Sequence, residues 1–268
     1  MTCHAYSFCD CMEELARNTY TLPETAEYIY IGSYFCDRYF VNTPKDIWRV
    51  CMDKAGRSGC KIVLVVPLPG QQLLKKVCSL LPELMDNNQI SELVVNDPGM
   101  LLRCGKQFPE IPLWSGRLMS KEIRDPRYDM GVQNPDRYEL ASDGTLYGIR
   151  IKGVEADPVF PMKYQKSDRC RLAVHTPYAF ISASRYCELG SLSQQLDRKF
   201  RLDTGCGREC ISCGLTYRYR DVTFYKAGRA VLTDVQNGAL DNLDDVRIIH
   251  TCGFDWSSDE ITDYRQRN

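Results

Sequence analysis

Histidine is scarce in this chain, with 3 residues in 268. No H-E-x-x-H or G-x-S-x-G pattern occurs, and no cysteine and histidine share a context that marks a nucleophile. The usual zinc-peptidase, serine-hydrolase and cysteine-peptidase constellations therefore have nothing to build on. Net charge is also lacking: 34 basic residues stand against 35 acidic ones. No overall field favours nucleic acid or an acidic surface, and a nucleic-acid partner stays open only through a local basic patch. No apolar run approaches the ~20 residues of a membrane span. Residues 1–20 carry acidic side chains where a secretory signal has its apolar core, so a cytoplasmic chain without a membrane span is expected. Neither an internal repeat nor a low-complexity tract is present.

Cysteine is what the chain has in excess, 14 residues in all. In a reducing compartment so many thiols point to metal or cluster ligation, or to an anaerobic host, rather than to disulfides. Cys51, Cys60, Cys78, Cys104 and Cys252 stand singly among apolar or helical patterns and read as core residues. Different in kind is Cys206-Gly-Arg-Glu-Cys210-Ile-Ser-Cys213. Thiolates at those spacings converge when the chain curls tightly, and Gly205, Gly207 and Gly214 permit the curl. Such a set suits an iron-sulfur cluster or zinc by ligand type. The spacing also imitates a radical S-adenosylmethionine motif, although that class keeps its motif after the first strand. Cys3, His4, Cys9 and Cys11 form a second set able to take zinc, in an N-terminal segment (1–25) whose pattern is atypical of the rest.

Along the chain, short apolar strands alternate with helical patterns. Strands are expected at Glu27–Ile31, Lys61–Pro67, Ser91–Val95 and Ile111–Ser115. Between them, Thr43-Pro44 opens a helix to Ala55, Gln71–Met85 forms another, and a third starts near Pro98. Spacing of about thirty residues per unit argues for parallel strands with right-handed crossovers. The expectation is a single α/β domain, a (β/α)8-type or incomplete TIM-like barrel. The alternation fails over 118–169, which reads as an inserted irregular region with a hairpin marked by the turn Ser142-Asp143-Gly144. Leu172–Thr176 resumes a strand, Val222–Tyr225 and Arg229–Thr233 form a hairpin turning at Gly228, and Val246–His250 is a final strand.

Four stretches, Tyr28-Ile-Tyr-Ile-Gly32-Ser-Tyr-Phe-Cys36, Glu92-Leu-Val-Val-Asn96-Asp97-Pro-Gly99, Ser182-Ala-Ser-Arg185-Tyr-Cys187 and the Cys206/Cys210 pair, resemble in order segments of the collagenase-like U32 peptidase family. The likeness is greatest to its small, barrel-only, UbiV-type iron-sulfur members. The resemblance implies a four-iron four-sulfur cluster held by Cys36, Cys187, Cys206 and Cys210, with Cys213 a further candidate. It also implies an oxygen-independent hydroxylase or related modifying enzyme, working as a heterodimer with a second family member and using a small carboxylate such as prephenate as oxygen donor. Arg117, Lys121, Arg124, Arg127 and Arg185 are then candidates to hold that carboxylate, since a guanidinium binds it bidentately. The plainer reading makes 117–129 a solvated loop whose cations pair with Glu122, Asp125 and Asp129. His175, at a strand end, is a candidate to move protons along with Arg185. A different class of function stays open: a non-catalytic partner subunit in which the cluster or zinc is structural. The family's peptidase label finds no supporting residues.

Overall fold

The computed structural model of the protein describes residues 2–17, 20–86, 89–119, 143–157, 169–192, 194–202, 205–211, 214–219, 222–234, 245–252 and 261–262. Its centre is a closed barrel of eight parallel strands. In chain order these are β1 (Cys3–Ser7), β2 (Ala26–Gly32), β3 (Lys61–Val66), β4 (Ile90–Val95), β5 (Leu113–Ser115), β8 (Gly153–Ala156), β9 (Arg171–Thr176) and β14 (Arg247–Thr251). Pairing of β1 with β14, from Cys3 opposite Arg247 to Ser7 opposite Thr251, closes the ring. The expected α/β barrel is therefore present, and the atypical opening segment supplies its first strand. Helices α1 (Met12–Ala16), α2 (Asp37–Asn42), α3 (Lys45–Arg57), α4 (Leu74–Met85) and α5 (Pro98–Gln107) connect the first five strands.

The continuous apolar run of β3 follows from burial on both faces. Val63 and Val65 face the barrel interior with Tyr28, Tyr30 and Trp114, while Ile62, Leu64 and Val66 pack beneath the helices. Helix α5 starts where Asp97 accepts a hydrogen bond from the Met100 amide at 2.7 Å with Pro98 behind it. The expected cap at Thr43 takes a different form. Short helix α2 intervenes, and the Thr43 hydroxyl donates back to the Tyr39 carbonyl at 2.7 Å, leaving Pro44 to open α3. Gly32 has φ +114°, and a Cβ there would lie 2.3 Å from the Val65 carbonyl oxygen, so only glycine lets β2 turn into the loop that carries Cys36.

Within 118–169 the described residues hold a hairpin, β6 (Thr145–Leu146) and β7 (Ile149–Arg150), followed by β8. The hairpin turns at Tyr147 and Gly148, both with positive φ, while the Asp143 carboxylate accepts from the Thr145 amide at 2.8 Å and leads into it. The turn thus lies beyond Ser142-Asp143-Gly144, because two successive positive-φ residues fit the strand twist better. A second sheet follows β9, in the order β10 (Tyr178–Ala183), β13 (Ala230–Asp234), β12 (Val222–Ala227), β11 (Leu215–Tyr219) and β15 (Ile261–Thr262). It contains the hairpin expected at Gly228, where φ is +55°. Among the described residues no helix is long and apolar enough to cross a membrane.

The lower barrel interior is ionic. Arg247 donates to Glu92 at 2.7 and 3.2 Å and to the Tyr30 hydroxyl at 2.9 Å, and its guanidinium lies 3.6 Å from the Tyr28 ring centre and 4.4 Å from that of Trp114. Lys152 adds a 2.5 Å bond to Glu92. Burial alone would push the Glu92 carboxyl up, but the Arg247 and Lys152 bonds outweigh it and hold the group below its ordinary 4.5. The stabilisation is therefore present above that pH and lost as pH falls through the depressed folded value. Removing one member leaves the other buried and uncompensated, a loss of about 3–5 kcal/mol. Arg247→Ala should lower the unfolding free energy from urea titration by that amount, whereas the apolar pair Glu92→Leu with Arg247→Met should recover most of it. Equal losses in the single and double variants would contradict this.

Candidate functional site

In a parallel barrel the carboxyl ends of all strands meet on one rim, where loops carry chemistry. Here that rim collects Cys9 and Asp10 after β1, Ser33 to Asp37 after β2, Arg117 after β5, Asp157 after β8 and His175 near the end of β9. The Ser33 hydroxyl donates to the Asp10 carboxylate and accepts from the Cys36 amide at 2.9 Å, and the Tyr34 amide donates to Asp10 at 3.0 Å. Asp10 itself holds φ +65°. Burial pushes its carboxyl up to about 6, the donated hydrogen bonds acting against that shift.

Cys36 is the N-cap of α2, and its Sγ accepts from the Tyr39 amide at 3.4 Å. Cys187 stands likewise before α6 (Glu188–Leu192), with the Gly190 amide donating to its Sγ at 3.3 Å. Cys206 lies three residues before the single helical turn Glu209–Ile211, and Cys210 is the middle residue of that turn. Close packing joins these segments: a Cβ on Gly190 would meet Oε2 of Glu209 at 3.3 Å, and one on Gly228 the Cys210 Sγ at 3.8 Å. Burial pushes the Cys210 thiol well up, and Cys36, Asp10, Cys187 and Cys206, in that order, push it the same way. Burial likewise raises Cys206, with Cys187 adding to it. Cys36 is pushed by burial to about 12, against the opposing pull of Arg229 and of the Tyr39 amide.

Cys36, Cys187 and Cys206, from three separate segments, thus all bear on the ionisation of Cys210. Among the described residues no group of three or more His, Cys, Asp or Glu side chains is arranged to hold a metal ion. Cys213 lies outside the described residues. The N-terminal set does not converge. Cys9 faces the barrel interior, Cys11 packs in the layer outside it and donates to the Cys252 carbonyl at 3.0 Å, and His4 stacks on His250.

Of the candidate cations, Arg117 is buried, paired with Asp157, bonded to the Tyr178 carbonyl at 3.0 Å and placed over the rings of Tyr34 and Phe35. Arg185 is exposed two residues before Cys187. Lys121, Arg124 and Arg127 lie outside the described residues. His175 is fully buried, its Nε2 3.4 Å from the Glu155 carboxylate. Sequence reasoning passed over Asp10, Glu155 and Asp157, which sit in segments with no motif of their own. It also missed Arg229, whose 2.7 Å bond to Asp37 ties the Gly228 turn to the cap that holds Cys36. The one available signal was position: Asp37 follows Cys36, and Arg229 follows the turn glycine.

No protein-family model and no curated protein matches this chain. Among solved structures it is similar to the U32 peptidase Mk0906, at 13% identity over 95% of this chain and 94% of that one, with a TM-score of 0.49. A likeness of that degree transfers no residue role.

The burial of Cys36 has a chemical consequence, because the thiolate is the reactive form. In metal-free protein at pH 8, a thiol at about 12 rather than the ordinary 9.0 should alkylate roughly a thousandfold more slowly than the same cysteine in denaturant. Peptide mapping after timed iodoacetamide treatment checks this, and native and denatured rates within tenfold would contradict it.

Proposed function

We propose that this chain is an iron-sulfur subunit of an oxygen-independent hydroxylase or related modifying enzyme, its four-iron four-sulfur cluster held by Cys36, Cys187, Cys206 and Cys210. The observation that carries the reading is the approach of three segments: Gly190, beside Cys187, packs on Glu209 next to Cys210, the Gly228 turn packs on Cys210 itself, and Arg229 from that turn bonds Asp37 next to Cys36; Cys36, Cys187 and Cys206 each push the Cys210 thiol up. The donor set fits the group: four sulfurs, two of them already accepting backbone amides at 3.4 and 3.3 Å, which is the arrangement that stabilises thiolate charge at a cluster. A bound cluster would supply one-electron chemistry beside the barrel rim. The chain's own residues position it. Ser33 and Asp10 fix the loop before Cys36, Arg229 and Asp37 fix the cap behind it, and Gly190 and Gly228 leave room for the sulfurs.

Resemblance to the UbiV-type branch of the U32 family supports the hydroxylase part of the proposal and its small carboxylate oxygen donor. Arg185, exposed and two residues before Cys187, is the described cation best placed to take the carboxylate, with Arg124 and Arg127 as further candidates. Arg117 is committed to Asp157 and is a positioning group in this reading. The second subunit, another member of the same family, finds support in Leu196, Phe200 and Leu202, apolar side chains 88%, 55% and 54% exposed on the segment between Cys187 and Cys206. A second reading has its own support. Four thiolates saturate a tetrahedral centre, which is the closed arrangement of a structural zinc or a structural cluster. The protein is then a non-catalytic partner.

Protein purified without oxygen should be brown and carry about four irons per chain, as expected for thiolate-held clusters. Cys36→Ala, Cys187→Ala, Cys206→Ala and Cys210→Ala should each abolish the iron, and Cys213→Ala should leave it. A colourless protein with one zinc would overturn the cluster, and loss of iron in Cys213→Ala with retention in Cys36→Ala would overturn the ligand set. Calorimetric titration with prephenate tests the donor site. Arg185→Ala should weaken binding about ten- to a hundredfold, the equivalent of losing a charged hydrogen bond, with iron content unchanged. Binding unaltered in Arg185→Ala would remove this residue from the site.

A further inference from the structure

In the segment that carries Cys206 and Cys210, a left-handed backbone falls on Arg208, with φ +62°, rather than on the Gly207 before it. An arginine takes that conformation against its steric preference and keeps it where the surroundings hold it there. Here they do. The Arg208 carbonyl accepts from the Ile211 amide at 3.1 Å and so closes the turn that contains Cys210. Its guanidinium pairs with Glu13 of α1, the two side chains only 14% and 16% exposed, and its Cζ lies 5.2 Å from the centre of the Tyr39 ring.

The other side of this contact is fixed to Cys36. Tyr39 is fully buried, its hydroxyl accepts from the Met12 amide at 2.7 Å and donates to the Glu13 carboxylate at 2.7 Å, and its own amide donates to the Cys36 Sγ at 3.4 Å. Helix α1 is in turn seated on α3, where the Cys51 thiol donates to the Met12 carbonyl at 3.3 Å and Lys54 to the Leu15 carbonyl at 3.1 Å. Arg38, the residue before Tyr39, donates to the Leu202 carbonyl. Helix α2 thus holds the chain on either side of Cys206.

We infer that Arg208, Glu13 and Tyr39 form a latch that seats the Cys206–Cys210 segment against the loop of Cys36 in metal-free protein, so that these thiols are positioned before a metal arrives. The inference rests on the four-thiol reading for its purpose and adds an order of assembly to it, segment first and metal second. Arg208 is a positioning residue, standing midway between Cys206 and Cys210 in the chain. Largely withdrawn from solvent, and with the Tyr39 hydroxyl holding the carboxylate from its other oxygen, the pair is a charge-assisted contact that salt screens little. A segment without need of the side chain would be served by glycine at 208, where the backbone itself favours it.

The test compares the full chain, freed of metal, as wild type, Arg208→Met, Glu13→Gln and Arg208→Lys, by hydrogen exchange and by timed iodoacetamide alkylation with peptide mapping. Losing a charged hydrogen bond should open the segment about tenfold more often. The amide of Ile211 should then exchange, and Cys210 alkylate, about tenfold faster in Arg208→Met and in Glu13→Gln, with Arg208→Lys close to wild type. Removing a cation near a thiol by itself slows alkylation, because the thiolate loses a favourable neighbour, so a faster rate in Arg208→Met reports opening. Cys104, fully buried on α5, is the control and should keep its rate. Equal acceleration at Cys104 would mean general destabilisation and would overturn the latch, as would wild-type rates in the variants or a loss in Arg208→Lys equal to that in Arg208→Met. Should one of Arg208→Met and Glu13→Gln not fold, the other decides, since the two side chains lie on different segments. All these rates are read without metal, so their failure leaves the four-thiol reading standing, and failure of the iron analysis overturns that reading while leaving the latch.

Discussion

Eight parallel strands that close on themselves force every carboxyl end onto one rim, and the closing contact is the pairing of β1 with β14. That contact joins residues 3–7 to residues 247–251. Through it Asp10, which holds the loop ahead of Cys36, takes its place among side chains contributed by β2, β5, β8 and β9. The described second sheet then has a definite role. It leaves the barrel at β9 and brings the Gly228 turn and Arg229 back over the rim against Cys210 and Asp37. The barrel fixes the segment of Cys36, and the sheet brings the Gly228 turn against Cys210.

Inside the barrel, paired ions and aromatics share the space with the apolar side chains of Val63, Val65, Val94 and Ile249. Arg247 is sandwiched by Tyr28 and Trp114, and Arg117 lies over Tyr34 and Phe35. Buried charges persist when their hydrogen bonds are met, and each of these arginines has a carboxylate. Glu155 lies between the two layers and is the member whose ionisation burial opposes most visibly.

Much of the frame was legible in the residues. Lys61–Val66 showed itself by an unbroken apolar run, α5 by Asp97-Pro98, and the late hairpin by Gly228. The spacing of Cys206 and Cys210, and the resemblance for Cys36 and Cys187, gave the candidate ligands that the proposal uses. What escaped depended on tertiary partners. β1 is a half-polar pentapeptide that becomes a strand because β14 and β2 flank it. β8, Gly153–Ala156, has a glutamate at its centre, which reads as solvent-facing until Tyr34 and His175 arrive from other strands. Arg117 looked like part of a basic loop because Asp157 lies 40 residues away in the chain.

The central claim is that the four thiols form a single metal centre. Diffraction from crystals grown without oxygen, collected across the iron and zinc absorption edges, tests it most directly. The account predicts an iron signal enclosed by the sulfurs of Cys36, Cys187, Cys206 and Cys210 on the barrel rim. An iron signal elsewhere, a zinc signal alone, or four ordered thiols with no metal between them in iron-replete protein would contradict it.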